Sequence, residues 1–377
     1  MKFKISELLY RIILVLLILD ASFYHTVLTE SFKNSFHYFC LMIVMVFSLM
    51  CIISKRYTKI FLFLNVAIFI FALISYRISG NSDIFTSILL IMLAWKIDLD
   101  EILKVIFNVR FIVFIFIVFL SLIGILDIGT IATTSADKGV LLGYGHANTF
   151  AGSAGILIFL MFAINRYRIK NYHYIIALIT DILIFYFSRS RTALMLISFV
   201  IICVICIKSS QDFNRQILKM SKVFLPSLFI VLFTLILMQF KSIAPHFLQI
   251  VDKVMNGRIV LSCMNLSYYP ITLLGQKIDI SYIAASNTYY ALDNGYIYVL
   301  IHYGIIGLVI IAGLQQFAIL RCVRMKEPIL CIVSIAILVW MMYEGMMIAT
   351  TFNFTLLFSV VKMRQYSNKK FLRGEVL

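Results

Sequence analysis

The sequence predicts an all-α polytopic membrane protein, a single integral domain over residues 1–377 with about twelve transmembrane helices. Three observations predict this class. Hydrophobic residues make up 62% of the chain and charged residues only 13%, with a mean hydropathy of +1.01. A soluble chain of this length could not bury so much apolar surface. Long apolar runs recur along the whole chain, and the loops between them alternate in basic charge.

Each predicted span is an apolar run, and a spanning helix needs about 20 such residues. The fourth and twelfth runs are short, and residues 328–361 are divided into two spans. The first run is long and lacks a small-residue cleavage site, so it does not resemble a cleavable signal. The twelve runs are 9–28, 36–53, 58–76, 84–95, 110–127, 148–165, 172–188, 192–207, 222–240, 294–320, 328–349 and 352–361.

The distribution of basic residues predicts the orientation. With both termini in the cytoplasm, all but nine of the 33 lysines and arginines fall in or beside cytoplasmic loops, as the positive-inside rule requires. The net charge of +16 then reflects topology and attraction to anionic lipid, and it requires no nucleic acid. The nine basic residues predicted to lie outside are Lys33, Arg77, Lys138, Arg189, Arg191, Lys241, Lys253, Arg258 and Lys277.

The predicted outer side has one long loop, residues 241–292, between spans nine and ten. Four of the nine outer basic residues lie in this loop, and Arg189 and Arg191 lie in a tight turn between spans seven and eight. Positive charge on the side that topology disfavours indicates an anionic ligand there. Within the loop, residues 259–269 mix apolar and polar side chains, which predicts a short interfacial helix with Arg258 at its start.

The motif SRSRTA, residues 188–193, has two interpretations. Its arginines can anchor to lipid phosphates, or they can bind a diphosphate, because guanidinium groups match phosphate oxygens bidentately and keep their charge. The helix that begins near Thr192 adds free N–H groups, which favours Arg191 over Arg189. Arg258 in NGRI, residues 256–259, is another candidate anion ligand, although a lone loop arginine is usually only solvated.

The motif GYGHANTFAG, residues 143–152, places His146 and Asn148 at the outer end of span six. A lone histidine is more often structural than catalytic, but this one lies on a glycine-flanked turn where the backbone can approach a ligand. The six histidines are scattered singly, so the sequence predicts no metal site and no cofactor.

The motif ALDNGYIYVLIHYGIIGL, residues 291–308, returns the long loop to the membrane. Asp293 and Asn294 can simply cap the helix, and that explanation is strong. Asn294, Tyr298 and His302 also recur every four residues and share one helix face. Acidic residues within the membrane are functional or paired by default, and the sequence alone pairs none of them; these are Asp20, Asp181 and Glu344.

Taken together and in order, these motifs resemble the O-antigen polymerase and O-antigen ligase superfamily. The resemblance covers about residues 60–365, and it includes the number of spans and the large outer loop before the DNGY segment. The matching stretches are GHANTF at 145–150, SRSRTA at 188–193, NGRI at 256–259, DNGYIYVLIHYGIIGL at 293–308, MMYEG at 342–346 and FNF at 352–354.

The resemblance implies a GT-C-like, metal-independent membrane glycosyltransferase of the bacterial cytoplasmic membrane. Its substrate would be an undecaprenyl-diphosphate-linked oligosaccharide, and its product a capsule, exopolysaccharide or O-antigen on the outer face. Membrane lipid, a flippase and chain-length regulator proteins are the expected partners.

Carried over to this chain, the resemblance assigns the lipid diphosphate to Arg191 and Arg258, with Arg189 beside them. The ligase branch has a histidine where this chain has Asp293, which favours a polymerase and makes Asp293 the expected base. An aspartate normally titrates near 3.9 and is a weak base unless burial raises its pKa, so His146 is the alternative. Residues expected to support the acceptor and the loop are Asn148, Asn294, Tyr298, His302 and Glu344.

Two alternatives stay open. One is an O-antigen ligase, which would transfer finished chains. The other is a polysaccharide flippase or another twelve-span transporter, which would need charged groups at mid-depth that both faces can reach. The outer cations cluster on one face beside a long loop, which favours the enzyme.

Overall fold

The computed structural model describes residues 2–55, 57–132, 138–243, 252–253, 257–278 and 292–363. These residues form a bundle of thirteen α-helices with one small antiparallel sheet and two 3-10 helices. Seven helices are long and apolar enough to cross a membrane, and a pair bent by 59° provides up to one more. The chain is therefore an all-α multi-pass membrane protein.

The elements follow the predicted order closely. They are α1 (Lys2–Tyr24), α2 (Glu30–Ser54), α3 (Lys59–Ser79), α4 (Asp83–Leu93), α5 (Leu99–Leu122), β1 (Thr130–Ala132), β2 (Lys138–Val140), α6 (Ala147–Ile164), α7 (Asn171–Ser188), α8 (Arg191–Ser209), α9 (Gln211–Val223), α10 (Pro226–Ile243), α11 (Arg258–Tyr268), α12 (Gly295–Arg324), α13 (Pro328–Met341), and the 3-10 helices Gly345–Ile348 and Phe354–Ser359. The predicted short helix of the outer loop is confirmed as α11.

One end of the bundle, termed the basic end, is held by ion pairs between helices. Arg166 contacts Asp100 at 2.6 Å and Glu327 at 3.3 Å, and Arg11 contacts Glu101. The predicted inner loops of α1, α5, α6 and α13 thus meet at one end. The helices run back and forth between this end and the opposite end, where α6, α8, α11 and α12 begin.

The twelfth predicted span is not an α-helix. After α13 the chain passes from Glu344 to Lys362 through the two 3-10 helices, and its side chains are almost all buried. At the basic end the Lys362 N–H donates to the Ile97 carbonyl at 2.7 Å. Residues 345–363 therefore cross the bundle as a buried segment of two 3-10 helices and irregular backbone, defined here as the crossing segment.

Side chains from neighbouring helices satisfy the carbonyls of the crossing segment. Arg110 Nε donates to the Thr351 carbonyl at 2.9 Å, and Arg321 donates to those of Phe358 and Val361 at 2.8 and 2.7 Å. Irregular backbone at membrane depth survives only where protein replaces the missing hydrogen bonds. Arg110, expected beside an inner loop, thus lies buried within α5 because the crossing segment requires a donor there.

Helix α12 is broken at Gly304, where φ is 72° and ψ is −172°. A segment of the outer loop closes the break. The N–H groups of Ile305 and Ile306 donate to the carbonyls of Thr272 and Leu273 at 3.0 and 3.2 Å, and Gln276 N–H donates to Ile301 at 3.0 Å. Residues 272–276 of the predicted outer loop are thereby fixed to the membrane domain.

Replacing Gly304 by alanine should strongly destabilise the protein. The backbone there is in a region open almost only to glycine, which costs another residue about 1–3 kcal/mol. A Cβ would also lie 2.3 Å from the Leu273 carbonyl oxygen, and overpacking costs about 1–3 kcal/mol more. Thermal unfolding in detergent measures the loss. Gly313→Ala in the same helix is the matched control, since nothing lies within 4 Å of its Cβ; equal midpoints for the two variants would contradict the prediction.

Candidate functional site

Arg258 lies at the start of α11 with its side chain buried. Its position follows from a local turn, because Gly257 adopts a φ of 79° and the Asp252 carboxylate accepts the Ile259 N–H at 2.8 Å. The guanidinium Nε donates to the Tyr343 carbonyl at 2.8 Å. This arginine is therefore held rigidly at the end of the bundle opposite the basic end.

Two acidic side chains share the same guanidinium nitrogen of Arg258. Its Nη2 donates to Glu344 Oε1 at 2.8 Å, and Asp293 Oδ2 lies 3.7 Å away. Glu344 is 12% exposed and Asp293 is 35% exposed. Arg258 therefore lies beside the start of α12, as expected if the two motifs are on the same side of the membrane.

Of Asp293 and Asn294, the two residues that could cap α12, only Asn294 does so. Its Oδ1 accepts the N–H groups of Tyr296 and Ile297 at 3.0 and 3.2 Å, which is the pattern of a helix N-cap. Asp293, one residue earlier, turns instead toward Arg258. Its carboxylate is consequently placed for interaction with charge rather than for ending a helix.

His146 caps α6 through its ring. Nδ1 accepts the Asn148 N–H at 3.1 Å. Because a backbone N–H can only donate, the proton of the neutral imidazole must sit on Nε2. Burial lowers the pKa of His146, more than the opposing effect of Asp293 raises it. A neutral ring with its acceptor nitrogen already bonded can donate from Nε2 but cannot take a proton without breaking its cap.

Burial favours the protonated form of Glu344. Burial raises its pKa to about 8, and the nearby Asp293 adds to this effect, against the opposing influence of Arg258 and a hydrogen bond from Asn148. Two carboxyl groups beside one guanidinium leave one of them easily protonated. Near pH 7, Glu344 is therefore largely neutral and does not cancel the charge of Arg258.

A cavity of about 570 Å³ lies beside these residues. His146, Asp293 and Glu344 line one wall. The opposite wall comes from the first four helices, where Asp20 contacts His37 Nδ1 at 2.8 Å and the Tyr298 hydroxyl donates to Asp83 Oδ2 at 3.1 Å. Arg258 does not line the cavity; it lies behind the two carboxyl groups.

The sequence analysis predicted the cavity wall that contains His146, Asp293 and Glu344, but it did not predict most of the opposite wall. The sequence identified Asp20 as an acidic residue within the membrane, but it did not identify its partner His37. The tetrapeptide Gly80-Asn81-Ser82-Asp83 joins two apolar runs with polar residues, which is a signal that could have identified this wall. In the structure Asn81 Oδ1 accepts from the Tyr303 hydroxyl at 2.5 Å.

The other predicted residues lie nearby or elsewhere at the same end. Arg189 ends α7 with its guanidinium 5.5 Å from the Tyr186 ring centroid, and Arg191 begins α8 and is exposed. In the described part of the chain neither arginine contacts Arg258 or lines the cavity. The His302 ring lies 4.3 Å from that of Tyr298, between centroids. The roles assigned to these residues stay predictions.

A comparison with protein-family models, curated proteins and solved structures matched none of them. Within the described ranges, no three side chains of the histidine, cysteine, aspartate and glutamate types come together as ligands for a metal ion. Inferences about function therefore rest on the chain's own residues and on the motif resemblance.

The pKa of Glu344 predicts an alkaline limit on the activity that the motif resemblance implies. Above about pH 8 this carboxyl ionises, pairs fully with Arg258 and weakens the attraction of the guanidinium for an anion. Turnover should therefore fall as pH rises through 8, and Glu344→Gln, which cannot ionise, should remove that fall. Initial rates in membrane vesicles between pH 6 and 9.5 test this; an unchanged alkaline fall in the variant would contradict it.

Proposed function

We propose that this chain is a polymerase that joins undecaprenyl-diphosphate-linked oligosaccharide repeat units into a surface polysaccharide on the outer face of the bacterial cytoplasmic membrane. One observation carries the proposal. Asp293 lines the cavity on one side and lies 3.7 Å from Arg258 on the other. A carboxylate between a cavity and a buried cation is placed to join an acceptor to a donor that carries a diphosphate.

The proposed reaction uses each of these groups once. An acceptor hydroxyl in the cavity gives its proton to the Asp293 carboxylate while its oxygen attacks the anomeric carbon of the donor sugar. The bond from that carbon to the diphosphate oxygen breaks, and the electron pair leaves with the lipid diphosphate. Arg258 and, at the same end, Arg191 and Arg189 stabilise the developing negative charge. Asp293 then releases its proton to solvent.

The remaining side chains have positioning roles in this scheme. Neutral His146 offers its Nε2–H as a donor at the cavity wall. Asn148 holds Glu344, and Glu344 holds Arg258 without neutralising it near pH 7. Asn294 caps α12 and so fixes the backbone beside Asp293.

Twelve crossings with both termini cytoplasmic belong to the same proposal. The seven long apolar helices and the bent pair become twelve crossings when α1, α4, α13 and the crossing segment are counted as well. With the basic end in the cytoplasm, Arg258 and Asp293 face outward, as a lipid-linked donor on the outer face requires.

A flippase or transporter is the second candidate. The break in α12 and the irregular crossing segment favour it, because discontinuous segments commonly build transport sites. The lining of the described cavity argues against it: its polar walls come from residues at one end, and none of the charged groups of the basic end lines it.

The glycans that accumulate in a deletion strain distinguish the candidates. A missing polymerase should leave single repeat units on the lipid carrier at the outer face, and the intact chain should restore polymer. Full-length chains left on the lipid would indicate a ligase instead. Repeat units retained on the cytoplasmic face would indicate a flippase and overturn the proposal.

A further inference from the structure

Three side chains on the cavity wall formed by the first four helices make a connected arrangement of aspartate, histidine and serine. Asp20 Oδ2 on α1 lies 2.8 Å from His37 Nδ1 on α2, and His37 Nε2 lies 3.4 Å from Ser82 Oγ, just before α4. All three residues line the cavity. The proposed glycosyl transfer uses none of them.

These contacts determine where the proton of the neutral His37 ring sits. An ionised carboxylate can only accept, so Nδ1 carries the N–H that donates to Asp20. Nε2 of the same ring is consequently an acceptor, and the Ser82 hydroxyl donates to it. In this arrangement a histidine is the base for a serine hydroxyl and an aspartate orients the ring. The contact of 3.4 Å is long, as such contacts often are before a substrate binds.

Helix capping does not explain the position of Ser82. A serine at this place usually accepts a backbone N–H of the helix that follows, but the Ser82 side chain makes no such hydrogen bond with α4. Asn81 Oδ1 accepts the Asp83 N–H at 2.9 Å instead. The Asp83 carboxylate in turn accepts from the Tyr298 hydroxyl at 3.1 Å. The hydroxyl of Ser82 therefore interacts with His37 rather than with the start of its own helix.

Attack of a serine on a carbonyl group also requires a donor for the oxygen that becomes negative. Asn34 precedes His37 by three residues on α2, so the two share a helix face, and both line the cavity. The Asn34 amide provides N–H donors on this wall. The cavity volume of about 570 Å³ lies in the range of sites that hold small ligands.

We propose that Ser82 is the nucleophile of a second catalytic centre, which hydrolyses carboxylic esters. The Ser82 proton passes to His37 Nε2 while Oγ bonds to the ester carbonyl carbon, and Asn34 donates to the carbonyl oxygen. The bond from that carbon to the alcohol oxygen breaks, and the alcohol takes the proton from Nε2. Water then gives a proton to Nε2 while its oxygen attacks the acyl carbon. The bond from this carbon to Oγ breaks, and Oγ recovers the proton.

Diisopropyl fluorophosphate tests the nucleophile directly, because an activated serine displaces its fluoride and keeps the phosphoryl group. The full chain in nanodiscs should gain one adduct, which peptide mass spectrometry should locate at Ser82. Ser82→Ala should remove the adduct, and His37→Gln and Asp20→Asn should each slow its formation at least about hundredfold. Ser209→Ala, at an exposed serine whose hydroxyl donates to the Ile205 carbonyl at 2.9 Å, is the matched control and should react like the unaltered chain.

Hydrolysis of p-nitrophenyl acetate provides a second measurement, which Ser82→Ala should lose and Ser209→Ala should keep. Thermal unfolding in detergent shows whether each variant is folded, and Ser82→Ala removes only a hydroxyl group. Absence of the adduct from Ser82 in the folded, unaltered chain would overturn the inference. Equal rates of labelling in the unaltered chain and the folded His37→Gln and Asp20→Asn variants would also overturn it. The ester-cleaving centre is independent of the proposed polymerase, which the deletion strain tests separately.

Discussion

Arg258→Ala should abolish long-chain polymer while the protein stays in the membrane. In the proposed transition state, the buried guanidinium meets the negative charge that develops on the departing diphosphate. Losing such a fixed donor should cost about 2–4 kcal/mol of transition-state stabilisation. The carboxyl of Glu344, which is protonated easily, limits the damage to the fold when its partner is removed. Polymer length on gels, together with protein content of the membranes, measures the effect.

Three further variants make the result specific. Arg258→Lys should restore only part of the activity, because a point charge replaces a planar fork. Arg191→Ala should also abolish long polymer if the two arginines share the diphosphate. Arg215→Ala is the control, since Arg215 is 80% exposed and paired only at 3.6 Å with Asp212. Near-normal polymer in both Arg258→Ala and Arg191→Ala would contradict the prediction and indicate that these residues make only structural or lipid contacts.

Most of the helical bundle was predictable because apolar runs and basic loops are local signals. The break of α12 was not, since an isolated glycine within an apolar run usually stays helical. Gly304 becomes a break only because the carbonyls of Thr272 and Leu273, from the outer loop, replace the helix's own hydrogen bonds. That partner is more than thirty residues earlier in the chain, and no local pattern shows it.

The structure of the crossing segment also depends on distant residues and could not be predicted from local sequence. Its sequence is as apolar as a spanning helix, so hydropathy cannot distinguish an α-helix from 3-10 turns. What allows the irregular backbone is a set of donors on other helices, Arg110 on α5 and Arg321 on α12. Charge patterning placed both arginines beside predicted inner loops, whereas Arg110 lies buried within α5.

Asp293→Asn should cause a severe loss of turnover with donor binding retained. Asparagine keeps the size of the side chain but cannot accept the proton of the acceptor hydroxyl. Since Asn294 supplies the helix cap, the change should leave the start of α12 intact. Removing a general base typically costs about 10²–10⁴-fold in rate. Turnover is measured as the rate of polymerisation of lipid-linked repeat units in membrane vesicles. Equilibrium binding of the same units then shows whether donor binding is retained.

The competing assignment gives the opposite pattern. If His146 were the base, His146→Gln would lose turnover and Asp293→Asn would polymerise normally. The structure favours Asp293, because the Asn148 N–H occupies His146 Nδ1 and the proton of the neutral ring therefore sits on Nε2. Glutamine can still donate a hydrogen bond from its amide, so His146→Gln should keep much of the activity that Asp293→Asn loses. A reversal of these two rates would move the base to His146.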